Sequence, residues 1–176
     1  MARSRPIDKD TYSTEKPNPL ELISRMVGVS SYRVPVEGVG SKPTLQTSDI
    51  VAAVGYMKDR LEQCTAMAVA NRAEAPEIAR VSSVAYRRVI RGVRALPDRP
   101  LDMGRGADRW RLRMVVFDAT HDLVWPERRL PINELAKAAK MRRRNYRAVY
   151  RCASAVLQEI LNNSTDSFMR ALWGGR

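Results

Sequence analysis

Between Pro76 and Leu96 the chain repeats apolar residues every three or four positions: Ile78, Val81, Ala85, Val89, Val93 and Leu96. Strands alternate their side chains between two faces, so this spacing fits a helix. At about 100° per residue, Arg80, Arg87, Arg91 and Arg94 fall within about 60° of one another on the opposite side, with Arg88 just outside that arc. The buried face fixes the direction in which these arginines point, which is outward as a row. A merely solvated face would be expected to mix signs, but no acid follows Glu77 on this side. Like charges at i,i+4 repel by a few tenths of a kcal/mol per pair. Phosphates or an acidic protein surface would neutralise them.

The helical period recurs along the chain. Asn18 is suited to cap a helix that opens at Pro19 and carries Leu20, Ile23 and Val27 as far as Gly28. Residues 29–47, which include VPVEGVGSKP, read as an ordered loop. A second helix is expected from a Thr47 or Ser48 cap, with Asp49 at the positive dipole end. Ile50, Val54, Met57, Leu61, Cys64 and Ala68 then form one long buried face, ending near Arg72. After the helix of 76–96 comes PDRPLDMGRG, a linker candidate at 97–106. A fourth helix over about 107–124 is apolar on most sides, with Trp110, Leu112, Met114, Val115, Val116, Phe117 and Val124, which suits a central place in a bundle. The alternation in RWRLRM also permits a short strand there. Two more helices are expected near 131–140 and 144–162, and DSFMRALW is weakly amphipathic.

These elements predict an all-α protein, a compact helical bundle. It divides into a disordered polar leader (1–17), an N-terminal helical part (18–96), the linker (97–106), a basic C-terminal part (107–163) and a tail (164–176). In the tail, Phe168, Met169, Leu172 and Trp173 dock either on the domain or on a partner.

The chain has 176 residues, with 31 Lys and Arg against 19 Asp and Glu, a formal charge of +12. Such an excess favours a polyanionic partner, nucleic acid before an anionic membrane. One histidine, His121, and two cysteines, Cys64 and Cys152, do not make a Cys/His zinc site, and thiols this sparse suit a cytoplasmic protein. No apolar run approaches the ~18 residues of a membrane span, and the amino terminus lacks a signal peptide's apolar stretch. GxxxxGK[ST], GxGxxG and HExxH are missing, as is any nucleophile–base constellation, so the expectation is a non-enzyme with no cofactor and no metal. His121, Trp110 and Trp125 read as core residues.

Residues 128–151 carry nine Lys and Arg and one acid, Glu134. Leu135, Ala136, Ala139, Met141, Tyr146 and Val149 stand where a helix-turn-helix needs apolar contacts before, within and after its turn. The outward set is then Lys140, Arg142, Arg143, Arg144, Asn145, Arg147 and Arg151. Arginine forks bind guanine edges or phosphates, and asparagine pairs with adenine in the major groove. The turn lacks glycine, and the alternative is a basic helical hairpin whose arginines are only solvated. Beyond Arg151, Cys152, Ala153, Val156, Leu157, Ile160 and Leu161 form an apolar face expected to pack on the fourth helix around Trp110, Met114 and Phe117.

In its order of elements the chain resembles the Q late-gene antiterminators of lambdoid phages, in the class typified by phage 21. LELISRMVG, YRVPVEGVGSKP and SDIVAAVGYMKDRL are similar to that class's opening helix, ordered loop and acid-started helix. Leu135-Ala136 followed by YRAVYRCASAVLQEIL is similar to its sigma-region-4-like helix-turn-helix. The resemblance covers about 18–62 and 110–162 and leaves the arginine-rich 73–106 unmatched. It implies a protein that binds double-stranded DNA near a late promoter and engages RNA polymerase carrying a sigma factor. It further implies loading at the RNA exit channel, with the nascent RNA as a further partner. Arg142, Arg143, Arg144, Asn145 and Arg147 would carry the DNA step, and the row of Arg80, Arg87, Arg88, Arg91 and Arg94 would meet nucleic acid or polymerase. The helix-turn-helix alone also fits a repressor, an activator or a phage packaging subunit.

Overall fold

The computed structural model describes residues 18–26 and 45–174, and among these every regular element is helical. The elements are α1 (Pro19–Ser24), α2 (Thr47–Gly55), α3 (Arg60–Ala70), α4 (Ala75–Arg94), α5 (Gly106–Val124), a 3₁₀ turn at Pro126–Arg128, α6 (Ile132–Ala138) and α7 (Arg143–Trp173). The leader at 1–17, Val27, the stop at Gly28 and the loop over 29–44 lie outside the described residues. Over RWRLRM the chain is helix, not strand.

Asn18 caps α1 as its sequence predicts, its side-chain oxygen accepting from the Leu20 amide at 3.0 Å. The single helix expected over 47–72 is instead two. Gly55 ends α2, and the Asp59 carboxylate starts α3 by accepting from the Leu61 amide at 2.8 Å. The cap of α2 is Gln46, whose amide donates to Asp49 at 3.0 Å. Ile50, Val54, Met57, Leu61 and Ala68 are all buried across the break. The apolar period therefore survives an interruption of four residues, and only the Gly55…Asp59 punctuation marks it.

α4 and α5 form an antiparallel hairpin around the main core. Ile78, Val81, Ala85, Val89 and Val93 meet Leu112, Val115, Val116 and Ala119 there, with Leu135, Tyr146, Val149, Ala153 and Leu157 from α6 and α7. The corner between α4 and α5 is pinned rather than loose. Leu101 is buried in the core, and the Asp108 carboxylate accepts from the Asp102 amide at 3.0 Å and from Arg111 Nη1 at 2.6 Å. Burial raises the Asp108 carboxyl, but that amide and the guanidinium outweigh it and hold the group below the ordinary range. One core thus draws on both sides of 97–106.

α7 is 31 residues long, about 46 Å. Its first half lies in the main core. Its last turns close a second, smaller core, where Phe168 and Leu172 meet Leu22, Ile23, Ile50, Val54, Met57 and Ala66. The expected tail is therefore the end of α7, docked on the domain itself. The Ser164 hydroxyl donates to the Glu62 carbonyl at 2.7 Å, and the Ser167 hydroxyl to the Glu62 carboxylate at 2.9 Å. Where α7 crosses α4, a Cβ at Gly92 would stand 2.9 Å from Cys152 Sγ. Glycine inside a helix costs about 1 kcal/mol, and the close crossing is what it permits here. Burial pushes the Cys152 thiol up.

Candidate nucleic-acid interface

The connection from α6 to α7 is short and closed by backbone hydrogen bonds. Lys140 takes a left-handed conformation, φ 51°, where glycine is commonest. Its amide donates to Lys137 O at 3.0 Å and the Met141 amide donates to Ala136 O at 2.9 Å, the paired closure of a Schellman motif. The glycine missing from the sequence is thus replaced by a strained lysine. Leu135, Ala136, Ala139, Tyr146 and Val149 are buried around this turn, and Met141 is half-buried.

Two hydrogen bonds lock the first turns of α7 to α5. The Tyr146 hydroxyl donates to Asp118 at 2.7 Å and the Tyr150 hydroxyl donates to Asp122 at 2.6 Å. Both pairs are spaced i,i+4, so two rungs of one helix register on two rungs of the other. The tyrosine rings stack at 6.0 Å with 19° between their planes. Burial pushes the Asp118 carboxyl above its usual range, with the nearby Asp122 adding to the effect and Tyr146 opposing it. Burial and the Asp122 carboxylate push the Tyr150 phenol up to about 12, and burial and the Asp118 carboxylate push the Tyr146 phenol further up. Asp122 also meets Arg129 Nε at 3.3 Å and His121 Nδ1 at 3.6 Å.

Held in this way, α7 turns a cationic ridge outward. Arg143, Arg144, Arg147 and Arg151 border one shallow depression of about 410 Å³ along the helix. Among the described residues, one carboxylate pairs with this ridge: Asp98, 3.2 Å from Arg144, with 87% and 70% of the two side chains exposed. An ion pair so exposed is worth little and is easily exchanged for a phosphate. The α7 amino terminus has no side-chain cap.

Lys140, Arg142 and Asn145 do not join that ridge. They border a separate hollow of about 210 Å³ with Pro100, Leu101, Met141, Asp108 and Arg111. Asn145 stands about 160° around the helix from Arg147. The expectation of one outward face is corrected accordingly: the seven residues form two groups on different sides of one helix terminus.

On α4, Arg80, Arg87, Arg91 and Arg94 are exposed as the wheel predicts. Arg88 is not part of the row. It is ion-paired with Asp59, the residue that caps α3, and that contact joins α3 to α4. Burial raises the Asp59 carboxyl, but the Leu61 amide and Arg88 prevail and hold it below its usual range.

Two core expectations also change. Trp110 is 47% exposed, whereas Met114 and Phe117 are partly buried against the main core that α7 shares, and Asp118 and Asp122 of α5 bond to α7 tyrosines. His121 is half-buried beside Asp122. Trp125 keeps its expected place against the main core, half-buried in a clasp: its indole N–H donates to Ala73 O at 2.9 Å, while the Arg128 and Arg72 guanidinium groups lie 3.8 and 5.3 Å from its ring centre. Sequence reasoning missed Asp118, Asp122, Arg111 and Arg129. The signal was an Asp pair on one helix and a Tyr pair on another at the same spacing.

Among the described residues, no three of His, Cys, Asp and Glu cluster as metal ligands, and no helix is long and apolar enough to cross a membrane. Compared with protein-family profiles, curated proteins and solved structures, the chain gives no match.

Proposed function

We propose that the protein is a sequence-specific DNA-binding transcription factor in which α6, the 139–142 turn and α7 work as a helix-turn-helix. One observation carries this reading. The Tyr146–Asp118 and Tyr150–Asp122 bonds fix one side of α7 to the core, while Arg143, Arg144, Arg147 and Arg151 project together from another side. An arginine row on a rigid helix binds a duplex through its phosphates, and guanidinium forks near the helix start reach base edges. Lys140, Arg142 and Asn145 lie apart from the ridge at the start of α7 and would grip phosphates on that side.

The setting we propose is antitermination in the cytoplasm, on RNA polymerase carrying a sigma factor at a late-type promoter, with nascent RNA as a further partner. Its support is the resemblance in element order. Residues 73–106, unmatched in that resemblance, supply α4 and the pinned corner of the main core. The test has two stages. Selection from random duplexes should enrich one site, and Arg143→Ala or Arg147→Ala should lower affinity for it by about 1–3 kcal/mol if the residue contacts a base. Reconstituted transcription should then read through a terminator only when that site lies upstream. No enriched site would refute the DNA reading. Site binding without read-through, on a symmetric footprint, would make the protein a repressor or activator instead.

A further inference from the structure

The outer face of the α4–α5 hairpin is a second cationic surface, separate from α7. Arg113 stands 5.6 Å from the ring centre of Tyr86, which fixes the seam between the two helices. Counting around α4 at about 100° per residue, Tyr86 is followed outward by Ile90, Arg94, Arg87, Arg80 and Arg91. Counting around α5 in the same way, Arg109 and Trp110 flank Arg113. All six of Arg80, Arg87, Arg91, Arg94, Arg109 and Arg113 are exposed. None of them pairs with a carboxylate among the described residues. The acids of α5 are engaged elsewhere: Asp108 with Arg111 and the Asp102 amide, Asp118 and Asp122 with tyrosines of α7.

Trp110 decides what kind of polyanion this surface fits. The residue is 47% exposed, on the same helix as Arg109 and Arg113, and belongs to neither core. A duplex keeps its bases stacked inside and offers such a ring nothing, whereas an unpaired base offers a π-face. Arginines tracking a backbone, next to an exposed aromatic platform, are the elements of a single-strand site. We propose that the α4–α5 hairpin binds single-stranded nucleic acid, with the arginines on its phosphates and Trp110 stacked on a base. Tyr86 is a positioning residue that holds Arg113 in place. The proposal does not depend on α7 reading a duplex.

The test is anisotropy of labelled oligo(dT) and oligo(U) of about 16 nucleotides, alongside a mixed-sequence duplex, on the full chain. Trp110→Ala should weaken both single strands about tenfold and Trp110→Phe less, with duplex affinity changed under twofold. Arg87→Ala/Arg91→Ala should also weaken the single strands, and Arg143→Ala/Arg147→Ala should weaken mainly the duplex. Preference for oligo(U) over oligo(dT) would identify RNA as the strand, and the reverse DNA. The proposal is overturned if neither single strand binds, leaving the surface to an acidic protein. It also fails if Trp110→Ala leaves single-strand affinity unchanged, or if the α4 and α7 variants lose both probes in parallel. Circular dichroism confirms the fold of each variant, and because the arginines are exposed their variants stay informative even if Trp110→Ala loses stability.

Discussion

Tyr146→Phe removes one oxygen and tests how α7 is held. The lost bond is a 2.7 Å donation to a carboxylate that burial already disfavours. Hydrogen bonds to charged groups contribute about 1.5–3 kcal/mol, and leaving the acceptor buried without its donor costs the upper part of that range. Tyr150→Phe is milder, about 1 kcal/mol, because Asp122 keeps Arg129 at 3.3 Å. In a chain of this length, each kcal/mol moves the melting temperature by about 2–4 °C. Tyr146→Phe should therefore lose about 4–10 °C near neutral pH, and Tyr150→Phe less than half of that. The dependence on pH has a definite sign. The folded Asp118 carboxyl titrates above its unfolded value, so the fold favours the protonated acid. That contribution is complete below the ordinary carboxylate range and is lost as pH rises through the folded value. Without Tyr146 the folded value climbs further, so the deficit of the variant should grow from about pH 4 to pH 7. Urea unfolding followed by circular dichroism at both pH values reads this directly. Equal losses for the two variants, or a deficit independent of pH, would refute the reasoning.

Three further outcomes follow from the packing. Gly92→Ala gains about 1 kcal/mol of helix propensity but drives a methyl to 2.9 Å from Cys152 Sγ, so it should destabilise by about 1 kcal/mol net. In a Cys152→Ala background the same change should stabilise, and a double-mutant cycle without coupling would contradict the close crossing. Lys140→Gly should raise the melting temperature by about 2–4 °C by relieving the left-handed backbone, while weakening duplex binding slightly through the lost cation; a fall in melting temperature would contradict the turn geometry. Asp59→Ala should cost about 1–2 kcal/mol in urea unfolding because it removes both the α3 cap and the Arg88 contact, whereas Asp59→Asn keeps the cap and should cost less than half as much.

Where the sequence was legible, one signal had one meaning. The wheel of 76–96 placed Ile78, Val81, Ala85, Val89 and Val93 inside and four arginines outside, because apolar burial is a property of one helix face. The break at Gly55…Asp59 was hidden because the apolar period resumes in phase beyond it. Trp110 was misplaced for another reason: its helix is apolar on most sides, and polar pairs, Asp118 with Tyr146 and Asp122 with Tyr150, join the apolar contacts between α5 and α7. Hydrophobicity ranks faces and does not see such pairing. Arg88 lies about 60° beyond the arc of the wheel, and its partner, Asp59, is a cap from another helix. The cations of 140–151 were visible as charge, but their division into two groups depends on how α7 is rotated against α5.

The most direct test of the α7 ridge is the salt dependence of duplex affinity. Neutralising phosphates with four arginines should give log K against log salt a slope contribution of about −3.6. Replacing Arg143, Arg144, Arg147 and Arg151 together by alanine should flatten the slope by about that amount and abolish preference for the selected site. An unchanged slope with site preference retained would place DNA on another surface of the molecule.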